Sequence, residues 1–132
     1  MNRKAAREWL IQLFYQMDIR NEFTEQLYLS TVGAIEKPVP EKNRLYMDEV
    51  FAKFNSNREA VDRTISDHLI DWTIDRMSRV DLAILRVAVI ELKFMEGIPV
   101  SVAVKEAVDL SKKYGDEESA GFVNGVLGKI SA

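Results

Sequence analysis

The chain has 132 residues, 47% of them hydrophobic and 30% charged, which is enough for one domain, residues 1–132, with its own buried core. It contains no cysteine, which excludes disulfides, thiol catalysis and thiolate metal sites. The net charge of -3 carries no overall nucleic-acid signature, so any such role must rest on a local patch. The basic N-terminus is not followed by an apolar stretch with a small-residue cleavage site, and the expectation is a soluble, cytoplasmic protein.

Residues 3–18, RKAAREWLIQLFYQMD, have the spacing of an amphipathic helix. Ala6, Trp9, Leu10, Leu13, Phe14 and Met17 share one face, with Glu8 and Gln12 pointing away. Lys4, Ile11 and Tyr15 form an outer row, and Arg3 and Arg7 lie between that row and the apolar stripe. Three cations beside a tyrosine suit phosphate contacts and base stacking, although a solvated helix start would look the same. Cations at a helix N-terminus oppose the macrodipole, which favours an external reason for them.

Residues 21–36 carry a weaker helical pattern on Phe23, Leu27, Tyr28, Val32 and Ile35, broken by Lys37-Pro38-Val39-Pro40. A third helix starts at Glu41 with Leu45, Tyr46, Val50, Phe51 and Phe54 apolar. Asn55-Ser56-Asn57 is expected to end it, and Ser56 with Glu59 to open a fourth as a capping box. That helix would bury Val61, Ile65, Leu69 and Trp72, with an irregular link over residues 73–79. His68, the one histidine, has no partners spaced to make a metal site. Asp62, Asp67, Asp71 and Asp75 read as a solvated face, since paired catalytic carboxylates need a pocket that nothing here implies.

Val80 to Met95, VDLAILRVAVIELKFM, is apolar nearly all round and predicts a buried central helix. Ser78 with Asp81 gives the start, and Gly97 then Pro99 the stop. An internal arginine and the Glu91/Lys93 pair argue against a membrane span. Ser101 to Tyr114 predicts the next helix, closed by Gly115, and Asp116 to Ser119 an acidic start for the last. In the last helix Gly121, Gly125 and Gly128 lower helix propensity, which points to close packing on a neighbour or to backbone approach by a ligand. The sum is an all-α fold of about seven helices.

From Arg79 onward the chain resembles the C-terminal half of the NusB family of bacterial transcription antitermination factors. Asp81-Leu82-Ala83-Ile84-Leu85-Arg86 leading to Glu91-Leu92, Pro99 with Val104-Lys105-Glu106-Ala107, and Phe122-Val123-Asn124-Gly125-Val126-Leu127 carry the resemblance as an ordered set. The stretch from Arg3-Lys4-Ala5-Ala6-Arg7-Glu8 through Gln12 to Tyr15 is similar to the family's first helix, while residues 20–55 match loosely. The resemblance implies two helical bundles packed together and a non-enzymatic RNA-binding role without a cofactor. It implies partnership with NusE, a small-subunit ribosomal protein, on single-stranded boxA RNA of nascent ribosomal transcripts. The resemblance further implies that the pair nucleates an antitermination complex on RNA polymerase.

Within that resemblance the RNA-binding candidates are Arg3, Lys4, Arg7, Gln12, Tyr15, Arg86, Phe122 and Asn124. Tyr15 and Phe122 would stack bases, and Gln12, Arg86 and Asn124 would reach base edges. Phe122 also fits a core position, Arg86 a buried partner of a helix-end carboxylate, and Asn124 a local cap. Asp81 and Glu118 are the candidates for pairing with basic groups of NusE. Self-association through the same face is a further expectation, compatible with an exposed stripe that includes Ile11. Gly121 stands where family members often carry a lysine, and only two residues precede Arg3; both predict weaker RNA affinity without a partner. The competing reading is a helical protein–protein adaptor on the same scaffold. An enzyme would need a convergent nucleophile, base or metal cluster, and the sequence offers none.

Overall fold

The computed structural model describes residues 1–70 and 73–132; Asp71 and Trp72, assigned above to a solvated face and a buried position, lie outside the described residues. Six α-helices and one short 3₁₀ turn account for the described regular structure, against an expected seven helices. They are α1 (Arg3–Arg20), α2 (Glu25–Gly33), α3 (Glu41–Ser66), the 3₁₀ turn Ile74–Arg76, α4 (Arg79–Lys93), α5 (Val100–Tyr114) and α6 (Ser119–Ser131). No described helix is long and apolar enough to cross a membrane.

The difference in number has a local cause. Residues 41–66 continue through the expected break, because only Asn57 leaves helical geometry, at φ -130° and ψ 23°. Its side-chain amide donates to the Lys53 carbonyl at 2.9 Å, so the kink keeps a hydrogen-bond partner and the helix resumes. The second helix is shorter than its apolar pattern: Thr24 accepts from the Leu27 N–H at 3.2 Å and sets its start. The first helix is longer, running from the Asn2 cap to Asn21, which takes a left-handed conformation at φ 50°.

The fourth helix is the centre, as its composition predicts. Every residue from Asp81 to Glu91 is buried, and α4 touches α1, α3, α5 and α6. Ser78 accepts from the Asp81 N–H and caps it. On one side α1 packs with α2 and α3; on the other α5 pairs with α6. Phe14 and Phe54 pack with their rings tilted by 34° and 4.5 Å between ring centres, joining α1 to α3. Gly97 turns the chain from α4 into α5 at φ 83°, a conformation open to glycine. Gly115 ends α5 where a Cβ would collide with the Ser119 side chain and lie 2.8 Å from the Ser111 carbonyl oxygen, so the tight entry into α6 requires glycine there. Asp116 then accepts from the Glu118 and Ser119 N–H groups, giving α6 its acidic cap.

Candidate nucleic-acid interface

The outer row of α1 is the scaffold of the site, and its side chains fare differently. Gln12 and Tyr15 are exposed, with Tyr15 at 40%. Together with Ile11 on the same helix, Val80 at the start of α4 and Tyr114 at the end of α5, they line an open, largely apolar hollow of about 390 Å³. Its walls supply two tyrosine rings and two side-chain amides, those of Gln12 and Gln16, a combination suited to stacking on a planar group and reading its polar edge. Ile11 lies at the floor and is 5% exposed, so the expected exposed stripe including Ile11 is not present. Val80 and Tyr114 were not anticipated as site residues. They meet α1 only through the tertiary fold.

The cations are largely committed within the chain. Arg7 is 4% exposed and forms a two-pronged ion pair with Glu91 of α4, both contacts at 2.8 Å. Tyr46 of α3 donates its hydroxyl to the same carboxylate. Burial works against the Arg7 charge, but Glu91 outweighs it and holds the guanidinium above its ordinary pKa. The expectation of Arg7 as a surface phosphate contact therefore meets a buried ion pair that ties α1, α3 and α4 together. Arg3 is half-buried, its guanidinium 4.0 Å from the centre of the Tyr46 ring. Lys4 keeps 47% of its side chain exposed, yet its ammonium lies 3.0 Å from Glu106 and 3.7 Å from Asp109 on α5.

Arg86 is also an internal residue. It is 4% exposed, bonds both oxygens of Asp62 at 2.9 and 2.8 Å, and lies 3.2 Å from Asp18. The alternative of a buried carboxylate partner is the one the fold realises, and base-edge contact would require this cluster to open. The same pairing removes Asp62 from the expected solvated acidic face. Arg79 reaches the Asp18 carboxylate from outside at 3.5 Å.

The last helix contributes Phe122, half-buried against the core, and Asn124, exposed. A Cβ added at Gly121, Gly125 or Gly128 would meet nothing within 4 Å. Close packing on a neighbouring helix is therefore not the reason for these glycines. They leave a strip of helix backbone open to solvent beside Asn124. Of the two partner candidates, Glu118 is exposed and Asp81 is 7% exposed, with burial raising its carboxyl above the ordinary range. His68 sits with Nδ1 2.7 Å from the Thr64 carbonyl oxygen, a local contact within its own helix end.

The NusB family model matches residues 4–132 of this chain. The transcription antitermination protein NusB of Bacillus cereus strain B4264 is 41% identical over 132 residues, covering 98% of this chain and 97% of the relative. The solved structure of T. maritima NusB superposes with a TM-score of 0.89 at 30% identity, covering 99% of this chain and 91% of that one. A crystal structure of antitermination factors NusB and NusE in complex with double-stranded RNA aligns with a TM-score of 0.86 at 32% identity, over 98% of this chain and 95% of that one.

Proposed function

This chain belongs to the NusB family of transcription antitermination proteins, and on that premise we propose that it binds single-stranded boxA-type RNA together with NusE. The pair then joins an antitermination complex on RNA polymerase, in the cytoplasm, and the role is one of binding rather than catalysis. The observation that carries this reading is the hollow on α1, where exposed Gln12 and Tyr15 face Tyr114 across an apolar floor. An unstacked base fits such a surface, and Gln12 has the donor and acceptor needed to read its edge. Phe122 and Asn124 beside the open glycine strip extend the path onto α6, and Lys4 and Arg3 supply backbone contacts at the start of α1. Exposed Glu118 is the surface for basic groups of NusE, whereas Asp81, buried at the start of α4, would not reach them without rearrangement.

Support for an RNA complex among relatives comes from the NusB–NusE structure described above, in which the RNA is double-stranded. The adaptor reading keeps one observation in its favour: Arg7 and Lys4 are both paired with carboxylates of this same chain. Binding of a labelled boxA-like RNA, measured alone and with NusE at two salt concentrations, separates the two. Antitermination requires salt-sensitive binding that strengthens with NusE, fails with a scrambled RNA and drops at least several-fold in Tyr15→Ala. NusE binding without any RNA binding would leave the adaptor.

A further inference from the structure

The first and fifth helices face each other along a ladder of opposite charges. Lys4 meets Glu106 at 3.0 Å and Asp109 at 3.7 Å, and Lys105 shares Asp109 at 2.8 Å. One turn further along α1, Glu8 takes Lys113 at 3.0 Å and the Tyr114 hydroxyl. Tyr114 also walls the hollow, so the ladder runs into the proposed base site. Of the three N-terminal cations, Arg7 is locked in the core and Arg3 is half-buried on Tyr46, which leaves Lys4 as the most exposed. It is the one that α5 neutralises.

We propose that Glu106 and Asp109 are affinity-setting residues that compete with RNA phosphate for Lys4, so that the chain alone is held in a weak RNA-binding state. This rests on the RNA-binding reading given above. A phosphate approaching Lys4 gains its attraction only after displacing two carboxylates; Glu106 then faces solvent and attracts cations of its own, while Asp109 keeps Lys105 at 2.8 Å. Counterions leave the RNA while others gather on Glu106, so the net release, and with it the salt dependence, is smaller than the number of phosphate contacts implies. Both acids keep solvent contact, with 18% and 33% of their side chains exposed, so the exchange needs no rearrangement of the core. Indiscriminate attraction to any RNA backbone is thereby suppressed, and RNA that also engages the hollow gains an advantage.

The test is a set of four proteins titrated with one labelled boxA-type RNA, alone and with NusE present, at several salt concentrations. They are the wild type, Glu106→Gln/Asp109→Asn, Lys4→Ala, and the triple variant. Freed of its competitors, Lys4 should bind RNA about three- to tenfold more tightly, with a log–log salt slope steeper by about 0.7, one single-strand phosphate contact. In the Lys4→Ala background the same acid substitutions should add little. Equal affinity and slope for the wild type and the double variant would overturn the inference while leaving RNA binding in place. A full gain that persists without Lys4 would also overturn it, as a general charge effect. If no variant binds RNA at all, the RNA-binding reading falls and the competition falls with it. Thermal unfolding of each protein checks that the comparisons are made on folded chains.

Discussion

Arg7, placed among the RNA contacts by charge, and Arg86, placed there as a base-edge reader with a buried carboxylate partner as the alternative, both hold the molecule together, and this fixes how their substitutions must be read. Arg7→Ala leaves Glu91, 2% exposed, with its guanidinium partner gone and only the Tyr46 hydroxyl beside it. An uncompensated buried charge of this kind costs about 3–5 kcal/mol, so denaturant unfolding of Arg7→Ala should show a loss of that size. Lys4→Ala, exposed and paired only at the surface, should change stability by less than about 1 kcal/mol. A loss of RNA binding in Arg7→Ala is therefore informative only at temperatures where the variant remains folded. Glu8 provides a pH-dependent counterpart. Burial opposes its charge, but hydrogen bonds from Tyr114 and Lys113 outweigh burial and hold the carboxyl below its ordinary 4.5. Its folded-state value is lowered, so its contribution is complete above the unfolded value and disappears as the pH falls through the folded one. Glu8→Gln should lower Tm by about 2 °C at pH 7, with the gap closing in acid; a gap that persists below the folded value would contradict the assignment. None of these pairings was legible in the sequence. The partners of Arg7 and Glu8 lie 84 and 105 or 106 residues away, and a single chain shows charge at a position without showing what faces it.

At the scale of elements the sequence was far more informative, because burial writes itself into periodicity. The all-round apolar run of α4, its Ser78 cap, the turn at Gly97 and the close of α5 at Gly115 were all readable from residue type and spacing. The exception in α3 is physical: Asn55-Ser56-Asn57 has the composition of a helix end, but one kinked residue with a satisfied side chain interrupts a helix without ending it. The glycines of α6 were legible as unusual and not as to cause. With open space beyond each of them, Gly125→Ala and Gly128→Ala should each raise stability by about 0.5–1 kcal/mol, since alanine loses less backbone entropy in a helix. If the open strip receives an RNA backbone or a partner, the same variants should bind more weakly while melting higher. Gain of stability together with loss of binding would identify the strip as a contact surface; gain of both, or of stability alone, would place the partner elsewhere.

For the molecule as a whole, the arrangement around α4 predicts that the two groups of helices do not unfold separately. Leu85 is 0% exposed at the middle of a helix that touches α1 and α3 on one side and α5 and α6 on the other. The buried residues form one contiguous apolar cluster drawn from α1, α2, α3, α4, α5 and α6. The Arg7–Glu91–Tyr46 and Arg86–Asp62–Asp18 clusters add polar ties that fix α1 and α3 to α4. Leu85→Ala should cost about 3–5 kcal/mol through lost burial and the cavity left behind, a large share of the stability of a chain this size. Far-UV and near-UV signals should still report one transition, shifted equally in both. Two transitions, with only one displaced, would mean that the helices on either side of α4 fold as independent units. The distinction reaches function, because the hollow is built from α1, α4 and α5 together. If the chain unfolds as one unit, the proposed RNA surface cannot persist on a partly folded molecule. RNA affinity in Leu85→Ala should then fall only in proportion to the unfolded fraction, and saturating RNA should raise its melting temperature.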